Sequence, residues 1–346
     1  MTGMVDVLVI GAGVMGASTA YALARAGRTV TILEQFARGH TRGSSHGKSR
    51  IFRFSYPESH YVEMGIESLR LWRELEEDGG VRILEQTGGF DYGEGIESNA
   101  AALEAVGAEA RSMRGREAME RWPLVRFEPD EPVLFSPDAG WTNADLAVET
   151  FTRLARDRGV DLREQQRVRE IDPRDDHVIV RTTDGSWTAR SVVVTAGAWA
   201  KDLLVQLDID LPVTPIRQTA VFFRQSQQAP PLVEWSDPLF YALPDPDHGL
   251  KAAEHVLVAT PDDPDEEGAP DLRSAERVAA WVRERFPTAE PEPADMQTCF
   301  YTVTDDESFV IERNGRVVVG SPCSGHGFKF APVIGRRIAA LAEEPV

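Results

Sequence analysis

The period of the hydrophobic pattern changes several times along this chain, and each change marks an element. Val5–Ile10 (VDVLVI) is a mostly β-branched apolar run bounded by glycine, the pattern of a buried parallel strand. Gly11-Ala12-Gly13-Val14-Met15-Gly16 follows directly, and residues 17–26 predict a helix with small residues facing a sheet, stopped by Gly27. Residues 29–33 predict a second strand that ends at Glu34. Helical spacing returns over 59–77, where Tyr61, Met64, Leu69, Trp72 and Leu75 share a face, and over 143–158, with Asn143 as the cap. Residues 166–181 predict a hairpin turning at 173–176, and 191–195 a further buried strand closed by Ala196-Gly197-Ala198-Trp199. Residues 212–224 and 240–258 predict longer strands of a separate sheet. A helix over 274–286, strands near 297–304 and 317–320 and a final helix complete the pattern. The segment 261–271 sets Asp262, Asp263, Asp265, Glu266 and Glu267 among prolines and reads as a solvated loop with no chemistry.

Composition narrows the class. The chain has 346 residues, 42% of them hydrophobic, and a mean hydropathy of −0.29. These values fit a globular protein of one large or two ordinary domains. A net charge of −19 argues against a general role on nucleic acid, whose phosphates it would repel. No apolar stretch approaches the ~20 residues of a membrane helix. The N-terminus lacks the basic start and cleavage site of a signal peptide, so a cytoplasmic protein without a membrane partner is expected. Cys299 and Cys323 are the only cysteines, too few for a disulfide scaffold and spaced unlike a zinc site. No metal is expected, and on their own these residues read as two buried thiols.

The clearest chemistry is at the start. Gly11, Gly13 and Gly16 sit between a strand and a helix, and Glu34 closes the next strand. Gly11 allows a tight turn, Gly13 lets the backbone approach a pyrophosphate, and Gly16 permits close helix–strand packing. The helix N-terminus offers free N–H groups to phosphates, and Glu34 can accept from a ribose hydroxyl. This set predicts a dinucleotide site and leaves NAD and FAD open. Between Glu34 and Glu58 there are no acids, but Arg38, His40, Arg42, His46, Lys48, Arg50 and Arg53 are present. Such a cationic run in an acidic chain predicts anionic ligands, and the small polar residues 43–47 suit a backbone that wraps one.

Four blocks then identify a relationship: VIGAGVMG with LEQ, GSSHGKSRIFR, TCFYT and SGHGFKF, joined by TAGAWAKDLL and YALPDPDHGLKAAEH. In that order they resemble the monomeric sarcosine oxidase and N-methyltryptophan oxidase family, within the glycine and D-amino-acid oxidase group of flavoproteins. The resemblance implies a mixed α/β and α+β fold. A Rossmann-like FAD domain would be built from residues 1–85, 140–215 and 293–346. A substrate domain on a mixed or antiparallel sheet would comprise 86–139 and 216–292. It implies FAD attached covalently through a cysteine, Cys299 by the match of its block, with Cys323 the alternative.

The resemblance also assigns roles to residues. Flavin contacts are implied for Gly11, Gly13, Val14, Met15, Gly16, Glu34, Gln35, Arg42, Ser44, Ser45, His46, Ser49 and Arg50. Val168, Ala196, Gly197, Trp199, Gly325, Gly327, Phe328 and Lys329 extend that set. Arg53 and Lys329 match the pair that grips a substrate carboxylate, and an arginine fork with a lysine point charge suits that task. Lys251 matches the lysine at which dioxygen is activated, a cation stabilising a developing negative charge. His46, Arg50, His255 and Tyr241 complete the implied catalytic set, and Tyr241, Tyr301 and Leu232 the substrate pocket. In a strand Lys251 and His255 would face the same side. Lys48 and Ser49 stand where closer members show an acid and a threonine, and Leu232 where a methionine stands, differences that bear on the substrate. The implied activity is oxidation of a secondary or N-methyl amino acid by a monomer, with dioxygen as acceptor and hydrogen peroxide as product. The alternatives are a flavin dehydrogenase with another acceptor and a catalytically silent flavin-binding protein.

Overall fold

A computed structural model describes residues 3–257 and 261–345. The first sheet grows from Val5–Ile10, which pairs in parallel with Val30–Leu33 on one side and Ser186–Val194 on the other. Asp161–Arg163 and Val317–Ser321 extend the parallel core at its two flanks. The hairpin Val168–Pro173 and Val178–Thr182 adds antiparallel to Ser186–Val194, and Val310–Asn314 folds onto Val317–Ser321. The apolar runs that predicted these strands are buried on both faces, as a helix-covered parallel sheet requires.

The helix Val14–Arg25 begins inside the glycine turn, earlier than its apolar pattern suggests, because Val14 and Met15 already form its first turn. The C-terminal helix Ala331–Glu343 packs across it. A Cβ on Gly335 would lie 2.4 Å from Ser18 Oγ, so the two backbones approach through that glycine. Asn143 caps Ala144–Asp157 by accepting the Leu146 N–H at 3.1 Å.

The second sheet is mixed. Its order runs Asp295–Val303, Thr214–Arg224, Gly249–His255, Leu239–Asp245, Leu232–Trp235, Gly89–Gly93, Pro132–Ser136 and Arg111–Arg114. All neighbours are antiparallel except Leu232–Trp235 and Gly89–Gly93. Asp295–Val303 belongs to this sheet, although its residues fall in a segment that the sequence reading gave to the FAD domain. A small sheet of Arg50–Phe52, Gly140–Thr142 and Leu84–Gln86 ends the cationic loop.

The single strand expected over 240–258 is instead a hairpin of Leu239–Asp245 and Gly249–His255, and residue 258 lies outside the described residues. Pro246 brings no donor, and the Asp245 carboxylate collects the N–H groups of Asp247 and His248, which turns the chain. Among the described residues no helix is long and apolar enough to cross a membrane, and no group of three His, Cys, Asp or Glu could hold a metal.

Candidate active site

One cavity of about 1550 Å³ is lined by both large sheets. At one end lies the glycine turn. Gly11 has φ +97°, and a Cβ on Gly16 would sit 1.9 Å from the Gly11 carbonyl oxygen, so a side chain is excluded where helix meets strand. Glu34 is buried; its carboxylate accepts the N–H of Ala12 at 2.8 Å and of Phe36 at 3.0 Å, which fixes the turn. Ser45 Oγ accepts the Val14 N–H at 3.0 Å, so the cationic loop is hooked to the start of the helix. Met15, Gln35, Ser44, Val168, Ala196, Gly197 and Trp199 line the same end, while Gly16 packs behind it.

The acidic segment 261–271 is no free loop. Asp265 Oδ1 accepts from Trp199 Nε1 at 2.8 Å, and its two oxygens take the Arg167 fork at 3.1 and 2.5 Å. Arg42, expected to meet the cofactor, is outside the cavity wall and donates to the Asp265 carbonyl at 2.8 Å. On the other side Arg217 of Thr214–Arg224 forks onto Asp262 at 2.8 and 3.2 Å. The loop is thus a strap between the two sheets, held by two arginine–carboxylate forks and by Arg42 on a backbone carbonyl.

Along the middle of the cavity Arg50 donates to the carbonyls of Ser44, His46 and Ser49 at 2.9, 2.7 and 2.8 Å, which folds the loop around its guanidinium. His46 lines the cavity, and its Nε2 is buried without a partner. Burial, then the charges of Arg50 and Lys251, push its pKa down to about 4, so the ring is neutral at pH 7. Lys251 is buried, and its Nζ donates to the Ser49 carbonyl at 3.2 Å. Burial and the neighbouring Arg50 lower its pKa to about 7.

At the far end Arg53 lies between two rings, its guanidinium carbon 4.2 Å from the Tyr56 centroid and 4.8 Å from that of Trp235. Lys329 is buried and donates from Nζ to Tyr56 Oη and to the His326 carbonyl, each at 2.8 Å. Burial and the charge of Arg53 hold its pKa well below the usual lysine range. The hydroxyls of Tyr241 and Tyr301 are 3.4 Å apart, and the His255 ring packs on Tyr301 at 5.4 Å. Burial raises the pKa of both tyrosines, so both stay protonated at pH 7. Cys299, Cys323, Gly325, Gly327 and Phe328 also face the cavity, and neither thiol is in a disulfide.

Leu232, like Arg42, lies away from the place that sequence reasoning gave it. It is fully buried in the core with Phe90 and Ala242, and its neighbour Val233 faces the cavity instead. Paired residues share a face of a sheet, and Tyr241 pairs with Val233, so Leu232 must point the other way. Sequence reasoning also missed Tyr56, Trp235, Asp91 and Asp245. Asp91 is buried and accepts from Trp235 Nε1 at 2.8 Å, which holds the indole against Arg53. Asp245 was within reach, since Tyr241, Leu243 and Asp245 alternate along one strand and all face the cavity.

The fit to a flavin dinucleotide rests on three features. Gly13 brings no side-chain cap to the helix Val14–Arg25, and beyond Val14, whose N–H goes to Ser45, the first-turn amides are left for a pyrophosphate. The glycine turn leaves no room for a Cβ, and His46 Nε2 is a buried polar atom awaiting a partner. A parallel sheet with this turn, facing a mixed sheet across one cavity, defines a dinucleotide-dependent oxidoreductase. The chain belongs to the family described as FAD dependent oxidoreductase, whose model matches residues 6–341.

The chain is 33% identical to peroxisomal sarcosine oxidase of Homo sapiens over 358 residues, 97% of this chain and 92% of the relative. It is 32% identical to monomeric sarcosine oxidase of Bacillus sp. (strain B-0618) over 357 residues, with the same coverage. Among solved structures, the open form of NikD, an unusual amino acid oxidase essential for nikkomycin biosynthesis, superposes with TM-score 0.89 at 27% identity, covering 99% of this chain and 95% of that one. The protein is an FAD-dependent amine or amino-acid oxidase acting on a small molecule.

Proposed function

We propose that the protein oxidises a secondary or N-methyl amino acid, acts as a cytoplasmic monomer, passes electrons to dioxygen and carries its FAD on Cys299. The observation that carries the substrate assignment is the meeting of Arg53 and Lys329 on Tyr56. Two cations approach one phenol, and Lys329 has only neutral oxygens as partners. A lysine held below its usual pKa by burial and then by another cation lacks an anion, and a substrate carboxylate supplies one.

Arg53 would take that carboxylate with its fork and Lys329 as a point charge, while Tyr241, Tyr301 and Val233 form walls around the remaining atoms. FAD, held by the glycine turn and the cationic loop, would supply the two-electron chemistry: it would take up hydride equivalents from the substrate's C–H bond and pass two electrons with two protons to dioxygen, giving hydrogen peroxide. The imine product leaves and hydrolyses in water; from an N-methyl substrate this gives formaldehyde and the demethylated amino acid. Lys251 supplies a chargeable ammonium for negative charge developing on dioxygen. Cys299 faces the cavity from Asp295–Val303, opposite Gln218, a fixed place for a tether.

The test combines an oxygen electrode with stopped-flow absorbance, using sarcosine and other N-methyl amino acids. Oxygen uptake matched by peroxide is expected. In Lys251→Met, anaerobic bleaching by substrate should stay within about tenfold of wild type. Its reoxidation should slow by about a hundredfold or more. Bleaching without oxygen uptake in wild type would make the protein a dehydrogenase, and no bleaching with any N-methyl amino acid would overturn the substrate class.

A further inference from the structure

The hairpin turn after Leu239–Asp245 places a buried carboxylate behind Lys251. Asp245 is 2% exposed. Its Oδ1 accepts the N–H groups of Asp247 at 3.1 Å and His248 at 3.0 Å, and lies 3.0 Å from His248 Nδ1. Its Oδ2 is 3.4 Å from the hydroxyl of the fully buried Ser49, whose carbonyl accepts from Lys251 Nζ. Phe222 links the same groups, with the His248 ring 4.9 Å from its centroid and Lys251 Nζ 5.9 Å from it. A turn of this kind needs only one oxygen of an Asp or Asn side chain. The second oxygen and the negative charge are surplus to the turn, and both are turned toward Ser49.

We propose that Asp245 is a positioning residue for Lys251: it is the buried counter-charge that lets the lysine carry a proton inside the cavity, and it sets the Ser49 carbonyl that aims the ammonium. The groups facing Lys251 come from every packed element. Arg50 opposes the proton, His46 faces it as a neutral ring, and Cys299, Asp245 and Asp145 favour it. Asp145 is already committed, to Lys48 at 3.2 Å and the Gly47 N–H at 2.7 Å. Cys299 is committed to the flavin if the tether proposed above is correct. Asp245 is then the remaining anion, with His248 beside it as its half-buried partner.

The role in catalysis rests on Lys251 serving dioxygen, but the electrostatic link does not. The folded pKa of Lys251, about 7, lies below the unfolded value near ~10.4. The unfolded chain therefore binds more protons between these values, so the penalty of burying Lys251 is full and level below about pH 7 and is relieved as pH rises through that window. Asp245→Asn keeps an acceptor for the turn and deletes the charge, so it should lower the lysine pKa further.

The experiment is a double-mutant cycle on the holoenzyme with Asp245→Asn and Lys251→Met, read as thermal stability at pH 6 and pH 9. Asp245→Asn should cost more stability at pH 6 than at pH 9, and part of that difference should vanish in the Lys251→Met background. Whatever persists there comes from the other charged neighbours of Asp245, among them Lys48 and His248. The pH midpoint of reoxidation should also fall by about one unit in Asp245→Asn, a tenfold loss of charged Lys251 at fixed pH. His248→Gln, which leaves Asp245 charged, should not lower it. Equal pH-dependent costs in both backgrounds would overturn the proposal, as would a downward shift in His248→Gln. Should Lys251→Met leave reoxidation unchanged while the stability cycle still shows coupling, the oxygen assignment fails and the Asp245–Lys251 link stands.

Discussion

The carboxylate of Asp265 accepts from the indole of Trp199 at 2.8 Å, joining the acidic strap to the wall of the dinucleotide end of the cavity. The same carboxylate takes the Arg167 fork, which holds its pKa below the usual carboxylate range. Both partners of that ion pair are partly exposed, so it adds only about 0.2–1 kcal/mol. The indole is nearly buried, and losing its acceptor costs about 1–3 kcal/mol. Asp265→Ala should therefore lower the melting temperature by a few degrees and speed proteolytic cleavage within 261–271. Unaltered melting and cleavage would show that the strap is held without Asp265.

The tether prediction turns on two cysteines that face the same cavity. Flavin should stay with the polypeptide after acid precipitation of the wild type. Cys299→Ala should release it and Cys323→Ala should not. Complete release from wild type would remove the covalent link altogether, and the reverse pattern would move it to Cys323.

Arg53 touches two aromatic faces, so its place is fixed before substrate arrives. Loss of one partner from a desolvated charge pair costs about 2–5 kcal/mol. Arg53→Ala should then weaken a carboxylate inhibitor by at least about tenfold, measured by flavin difference spectra. An unchanged titration would place the carboxylate elsewhere.

What the sequence made legible was local or periodic. The strand, glycine turn and helix of residues 5–25 announce themselves because each step is dictated by its neighbours. Lys251 and His255 share the cavity because an even separation on a strand fixes a common face. The meeting of Arg53 with Trp235, by contrast, depends on Gly89–Gly93 pairing with Leu232–Trp235, and no local pattern encodes that partner. Leu232 shows the cost of missing register: a shift of one residue turns a wall into core. The strap was read as solvated because its acids are visible in sequence, while Arg42, Arg167 and Arg217 come to it from three distant segments.

The parallel pair of Leu232–Trp235 with Gly89–Gly93 also bears on how this chain can fold and be cut. The second sheet is completed only when a strand made early finds one made long after it, with much of the first sheet lying between them in sequence. Such non-local closure slows folding. Neither sheet is a contiguous stretch that could be expressed alone or exchanged as a module. A nick within 261–271 should accordingly leave the two fragments associated, since each contributes strands to both sheets.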